Sequence, residues 1–379
     1  MKKALFITMH PLGYRSGGSI ASSNFLKVVL EAFEDQVRVV ASEQSAAYVN
    51  KIGCKEFVPV SSRSLMQKVS YFLRGICSDR FSPYVDDHIE QLLDGVSHLV
   101  LDGSMLGRFA AVVKAIAPDV HITQLHHNCE LKYYADTKMS FLMRLLMYRV
   151  ININQGIGWR SADLNLTFTK KDLDDINLNY GLPLSAAVAY GYYEECEPLD
   201  ILDQKKSDTN IRLVITGNMS VKKGYEGAVW FLEEVFPEME NATLTIAGRN
   251  PHKSLKELCL KHEDTVELIS NPPDMLSVLR KADIFLNPSS AGSGIKVRNF
   301  DGLRSGLPVI CHVDNAHGFE ALPTATFCTF TDVNSFKDAF FKASSLCNPQ
   351  GRVFVYNAYR SKFSLQEGVR QLLPLITSL

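Results

Sequence analysis

The sequence has no Cys-x-x-Cys pair, and its eight cysteines (54, 77, 129, 196, 259, 311, 328 and 347) are scattered over 379 residues. That spacing offers neither a zinc framework nor a small disulfide scaffold, and it predicts reduced, mostly buried thiols. An excess of charge is missing too. Forty Lys and Arg face 41 Asp and Glu, a formal net charge of −1. This excludes a polyanion-coating surface and bulk nucleic-acid binding, so any anion must be held locally. No stretch approaches the roughly 20 uninterrupted apolar residues of a membrane span. The closest, 139–158, is broken by Arg144 and Arg149. The apolar run in MKKALFITMHPLG is too short for a secretory signal core and reads as a first strand. No Gly-x-Gly-x-x-Gly follows a strand with an acid about 20 residues on, which disfavours a dinucleotide-dependent oxidoreductase.

What is present is a soluble, globular composition, 46% apolar and 21% charged, on a chain long enough for two domains. Short apolar runs alternate with segments of helical period. Strands are predicted at 4–9, 37–42, 98–102, 121–126, 164–168 and 186–190, with helices at 19–33, 104–116, 138–155 and 170–178. Residues 191–210 are polar and read as a linker. The alternation restarts with strands at 212–217, 243–248, 266–270, 284–289, 307–312 and 325–330. Helices are expected at 224–235, 253–261, 273–281 and, at the end, 362–377. Strands apolar on both faces and alternating with helices signal parallel sheets covered on both sides. The fold class expected is α/β, two doubly wound Rossmann-like domains facing across a cleft. They would span 1–190 and 211–360, joined by the linker, with a C-terminal helix at 361–379 packing back on the first. Ligands of such domains gather at the carboxyl ends of the strands.

Four stretches carry candidate chemistry. In HPLGYRSGGSI, Gly17 and Gly18 precede a helix that Ser19 or Ser22 would cap, and Arg15 adds charge. Bare glycines and free N–H groups at a helix start suit a phosphate, although a flexible loop has the same pattern. In QLHHNCELKYY, His126, His127, Asn128 and Glu130 follow an apolar strand. Neighbouring strand residues point to opposite faces, so at most one histidine faces the cleft; a histidine here bonds a sugar hydroxyl or a phosphate, or is a satisfied structural residue. No third ligand shares a face, which disfavours a metal. In LVITGNMSVKKGYEGAVWFL, a strand, Gly217 and Lys222-Lys223-Gly224 lead into a helix. A lysine there suits a diphosphate, or is simply solvated. Arg249, ending IAGRN, contacts a base or merely turns the chain.

The fourth stretch, AGSGIKVRNFDGLRSGLPVI (291–310), sets Gly292 and Gly294 before a helix start. The N–H groups around Ser293, Gly294 and Ile295 can face an anion, Lys296 and Arg298 add charge, and the Asp301 carboxylate can accept two hydroxyl hydrogen bonds, as a ribose offers. The alternative is a helix start with an i, i+3 pair between Arg298 and Asp301.

The segment GSGIKVRNFDGLRSGLPVI resembles the donor-binding segment of GT-B retaining glycosyltransferases, the large group 1 (family 4) type that uses nucleotide sugars. HHNCE resembles that family's His-Asn-x-Glu segment, and SGGS and TGNMSVKKGYEGAVWF correspond in order. The resemblance implies transfer of a glycosyl group from a nucleoside-diphosphate sugar to a glycan or lipid-linked acceptor, with retention, in bacterial surface polysaccharide synthesis. By position, Gly17 and Gly18 would lie near the diphosphate and His127 near the transferred sugar. Lys223, Lys296 and Arg298, with Gly294 and Ile295, would meet the diphosphate. Asp301 and Arg249 would serve the nucleoside, and His126, Asn128, Glu130 and Ser293 the donor sugar or acceptor. His127 and Lys296 would be catalytic. Two departures stand out: Ser293 replaces the first of two family glutamates, and Asn218 stands where an arginine is common.

No Asp-x-Asp motif is placed against the diphosphate, so the expectation is no metal and no cofactor. A basic amphipathic helix at 65–80 (Met66, Val69, Leu73 and Ile76 beside Lys68, Arg74 and Arg80) either packs on the core or lies on an anionic bilayer. The protein is therefore expected in the cytoplasm or against the inner face of the cell membrane. Two rival functions share these features: a nucleotide-sugar epimerase of the same fold, and a non-catalytic sugar-nucleotide-binding subunit of a partner transferase.

Overall fold

A computed structural model describes residues 2–14, 16–61, 64–73, 81–135, 139–189, 210–290 and 294–377. The chain forms two compact units, residues 1–193 with 365–379 and residues 194–364.

Unit 1 begins with β1 (Ala4–Thr8), α1 (Gly17–Ala32), β2 (Val37–Ser42), α2 (Ala46–Lys51) and β3 (Glu56–Val60). Next come α3 (Leu65–Leu73), α4 (Phe81–Leu92), β4 (His98–Asp102), α5 (Arg108–Ile116) and β5 (His121–His126). The unit continues with α6 (Glu130–Ala135), α7 (Phe141–Ile151), α8 (Ile157–Ser161), β6 (Leu164–Thr167), α9 (Lys170–Tyr180) and β7 (Ala186–Val188). All pairings are parallel, in the order β3-β2-β1-β4-β5-β6-β7. Every residue of β1 and β4 is buried. A strand covered on both faces does not alternate in polarity, which is why the middles of these runs, residues 5–7 and 99–101, are continuously apolar.

Unit 2 holds β8 (Ile211–Asn218), α10 (Lys222–Trp230), β9 (Ala242–Arg249), α11 (Lys253–Leu260), β10 (Val266–Ser270), α12 (Met275–Arg280) and β11 (Ile284–Asn287). It ends with α13 (Val297–Arg304), β12 (Val309–His312), β13 (Phe327–Phe330), α14 (Val333–Ser344) and α15 (Pro349–Phe363). Its parallel sheet runs β10-β9-β8-β11-β12-β13. The core gathers Leu213, Ile215, Phe231, Leu244, Ile246, Ile284, Leu286 and Phe336. Burying one such side chain contributes about 1.5–3 kcal/mol. The last helix, α16 (Leu365–Thr377), belongs to unit 1, where it lies on α1 and Lys2 Nζ donates to Thr377 O at 3.0 Å.

The doubly wound α/β class holds in both units. Several details differ from the sequence reading. The single terminal helix at 362–377 is two, broken at Ser364, whose backbone is extended (φ −71°, ψ 157°). The expected helix at 138–155 is α7 followed by a π-helical segment, Asn152–Gly156. The helix expected from 104 begins with a 3-10 turn, Ser104–Leu106. β3 was not anticipated: it contains Pro59, which an edge strand tolerates. The linker expected at 191–210 lies outside the described residues up to 209.

Candidate functional site

In each sheet the strand order reverses direction once, between β1 and β4 in unit 1 and between β8 and β11 in unit 2. Open parallel sheets bind ligands outside the carboxyl ends of the strands at such points.

At the unit 1 reversal, β1, β4 and β5 deliver Thr8, Asp102 and His127. His127 Nε2 lies 2.7 Å from Asp102 Oδ1, and Thr8 Oγ1 donates to Asp102 Oδ2 at 2.6 Å. Asp102 is fully buried. Burial works to raise its pKa, but the charge and hydrogen bond of His127 outweigh it and hold the carboxyl below its usual range. The His10 N–H donates to Thr8 Oγ1 at 3.1 Å, and its ring lies against that of His127 with centroids 4.6 Å apart. Phe168 meets the His127 ring edge-on at 4.9 Å. Burial, then repulsion from His127, pushes the His10 pKa down to about 4, so His10 is uncharged at neutral pH. Gly18 makes this stack possible, because a Cβ there would sit 2.6 Å from His10 Cε1.

The neighbouring histidine is a correction. His126 is wholly buried, with Nε2 2.9 Å from Asn165 Oδ1 and Nδ1 3.2 Å from Ser104 Oγ. Both ring nitrogens are committed within the core and its ring meets Trp159 edge-on, so His126 is the structural member of the pair, not a sugar contact. Burial lowers its pKa to about 4. The start of α1 also differs: Ser16 caps it, accepting from the Ser19 N–H, so Gly17 and Gly18 lie inside the first turn. Ser19 and Ser22 are buried helix residues. Arg15 lies outside the described residues.

Gln155, in the π-helical segment, ties the stretch after β5 together. Its Nε2 donates to Ser104 Oγ (3.0 Å) and to Asn128 O (2.9 Å), while its Oε1 accepts from the Glu130 N–H (3.0 Å). Single π-turns within helices recur at functional sites. Burial, with Asp172 adding and His127 and Ser104 opposing, pushes the Glu130 pKa up to about 7.

At the unit 2 reversal, Gly294 adopts φ +69°, a left-handed conformation that suits glycine. Lys296 then stands at the N-cap of α13, which receives no side-chain cap. Lys296 Nζ donates to Gly294 O at 3.3 Å, and Arg298 Nη1 to Thr216 O, at the end of β8, at 3.4 Å. Ile295 is buried and both cations are half-buried. Among the described residues Arg298 forms no carboxylate ion pair. Asp301 pairs with Arg304 at 2.9 Å rather than with Arg298. Burial raises the Asp301 pKa, with Arg304 and Arg298 opposing. Asn299 anchors α13: its Oδ1 accepts from Asn287 Nδ2 (2.8 Å) and its Nδ2 donates to Asn315 O (3.3 Å).

A hollow of about 470 Å³ opens beside this point, lined in part by Gly227, Trp230, Pro288, Ser289, His312 and Thr331. A larger one, about 640 Å³ around Arg212, Thr243 and Lys281, lies at the amino ends of the strands, the wrong edge for this chemistry. Arg249 ends β9 in register with Asn218. Lys223 is in the first turn of α10; its side chain, like Ser293 and Gly292, lies outside the described residues.

The sequence reading did not single out Asp102, His10 or Thr8. The available signal was a carboxylate ending the apolar strand HLVLD, and a histidine two residues beyond strand one.

Residues 210–343 match the family model described as Glycosyl transferases group 1. One curated relative, an uncharacterized 44.6 kDa protein in the cps region of Klebsiella pneumoniae, is 28% identical over 204 residues, covering 48% of this chain and 49% of that protein. The match spans about half the length of that relative. Among solved structures, HepE of Anabaena in complex with UDP superposes over 100% of both chains, with a TM-score of 0.69 at 12% identity. The same protein has been solved with UDP-glucose. WaaG, a glycosyltransferase involved in lipopolysaccharide biosynthesis, superposes over 99% of this chain and 100% of its own, with a TM-score of 0.60 at 13% identity.

Proposed function

We propose that this chain, whose residues 210–343 form a glycosyl transferases group 1 domain, is a glycosyltransferase of GT-B fold. It moves a sugar, with retention, from a nucleoside-diphosphate sugar to the hydroxyl of a glycan or lipid-linked acceptor. The observation that carries this reading is the unit 2 reversal, where Gly294, the uncapped start of α13, Lys296 and Arg298 converge.

In glycosyl transfer, positive charge spreads over the sugar ring while negative charge grows on the leaving diphosphate. Lys296, Arg298, Lys223 and the N–H groups around Gly294 and Ile295 stabilise that growing charge more than the ground state, and so lower the barrier. Asp301, paired with Arg304, holds the ribose hydroxyls, and Arg249 serves the base. In unit 1, Gly17 and Gly18 suit a phosphate, and His127 meets a sugar, with Asn128 and Glu130 beside it. With these cations in place no metal is needed. Binding of UDP and UDP-glucose by HepE supports a nucleotide-sugar donor. The cps-region relative and WaaG support a role in bacterial surface polysaccharide synthesis.

A peripheral contact with an anionic membrane belongs to the same reading. No described helix is long and apolar enough to cross a membrane. The described part of the 65–80 helix, α3, has no buried residue, and Met66 is 83% exposed. It touches α7, where Phe141 is 85% exposed and Leu142 and Leu145 are also uncovered. The only charges on these two helices are Lys68, Arg144 and Arg149, all cationic. Apolar surface ringed by cations suits an anionic bilayer. Ile76, Arg74 and Arg80 lie outside the described residues.

The test is a panel of nucleoside-diphosphate sugars, with and without lipid-linked acceptors, in the presence of a chelator. Diphosphate release that requires acceptor supports the reading. Consumption of donor without acceptor makes the protein an epimerase. Binding without turnover makes it a non-catalytic subunit, and activity restored only by Mg²⁺ or Mn²⁺ removes the metal-independent mechanism.

A further inference from the structure

The His127 ring is held more tightly than sugar contact alone requires. His10 lies against one part of it, Phe168 meets it edge-on, and Nε2 faces the buried Asp102 at 2.7 Å. Asp102 is itself fixed by Thr8, which donates to its other oxygen at 2.6 Å, and Thr8 also accepts the His10 N–H. Among the described residues, His127 Nδ1 makes no hydrogen bond. We propose that Asp102 is a positioning residue: it commits the Nε2 proton of His127 to its own carboxylate and so makes Nδ1 the ring atom that meets the ligand.

The argument is one of donors and acceptors. A carboxylate only accepts, so the nitrogen facing it carries the proton whether the ring is neutral or cationic. In the neutral ring Nδ1 is then a pure acceptor, matched to a sugar hydroxyl that donates and mismatched to a phosphate oxygen. Without Asp102 either nitrogen can hold the single proton, and the fraction with Nδ1 protonated cannot accept from a hydroxyl. A carboxylate behind a functional histidine fixes its tautomer in this way elsewhere. Thr8 extends the arrangement by one step, since its hydroxyl holds Asp102 Oδ2 and leaves Oδ1 for the ring.

The inference rests on His127 meeting a sugar, and its test separates the two. The full chain, labelled with ¹⁵N-histidine, is examined by long-range ¹H–¹⁵N correlation, with the His127 signals assigned by their loss in His127→Gln. The wild type is expected to show Nε2 protonated, and Asp102→Asn to lose that signature as the amide competes for the ring. With a working donor, Asp102→Asn should cut kcat about 10-fold or more with little change in donor KM. Thr8→Val, which leaves Asp102 in place, should keep the tautomer and lose less activity. A wild-type ring protonated on Nδ1 alone would overturn the proposal, as would an Asp102→Asn variant with wild-type tautomer and rate. If that variant does not fold, the wild-type spectrum still decides. The expected spectrum without transfer from any donor would overturn the functional reading and leave the assignment of Asp102 intact.

Discussion

The two reversal points share a strand order and differ in chemistry. In unit 1 the carboxyl ends of β1, β4 and β5 hold two imidazole rings, a hydroxyl and a buried carboxylate, joined by hydrogen bonds and ring contact. In unit 2 the corresponding ends of β8 and β11 hold two cations that lean on backbone carbonyls, and a helix start with no side-chain cap. The first arrangement is suited to choosing among hydroxyls. The second gathers positive charge beside a helix start, an arrangement suited to an anion. The fold fixes where a ligand binds, and a few strand-end residues decide what it is.

The comparison breaks most visibly at Lys296. Lys296→Ala should lower kcat about 100-fold, the usual cost of removing one donor aimed at developing charge, while the melting temperature stays near wild type. A wild-type rate would remove Lys296 from the mechanism. The two histidines should separate next. His126→Ala leaves the buried Asn165 Oδ1 without its partner, at about 1–3 kcal/mol, while Ser104 keeps its bond from Gln155. It should lower the melting temperature by several degrees, whereas His127→Ala should mainly lower kcat. Equal melting temperatures would contradict the division of roles. Gly18→Ala is expected to cost about 1–3 kcal/mol through the clash with His10, and His10→Ala in that background should recover part of it in a denaturant titration.

The last effect shows only as a pH dependence and concerns Glu130. Its pKa rises from 4.5 to about 7 on folding, so between those values the folded state binds more protons than the unfolded state. Stability therefore falls as pH rises through that window, and the loss is complete above the folded pKa. Glu130→Gln should flatten the pH dependence of the melting temperature between about 5 and 7 and be the more stable form at pH 8. An unchanged slope would show that Glu130 is not buried as described.

Much of this architecture is local in sequence and therefore readable from it. The apolar middles of ALFIT and HLVLD are continuous because both faces of a parallel sheet are covered, and the glycine-to-cation run leading into α13 is a local pattern. The unit 1 network is not local. Asp102 and His127 meet only because β4 pairs with β5 in a register that sets Asp102 opposite Leu125, which no spacing rule supplies. The same holds for His126, whose structural role depends on Asn165 of β6 and Ser104 after β4. The division at Ser364, where α15 stays in unit 2 and α16 joins unit 1, is set by a residue with no strong helix-breaking character of its own.

The central claim is that the unit 2 reversal is a diphosphate site. Calorimetric titration with a nucleoside diphosphate and the matching monophosphate tests it directly. The account predicts that the diphosphate binds about 10-fold tighter or more, a difference of about 1.4 kcal/mol, and that Lys296→Ala with Arg298→Ala abolishes the difference. Equal affinities for the two nucleotides, or a preference that survives in the double variant, would contradict it.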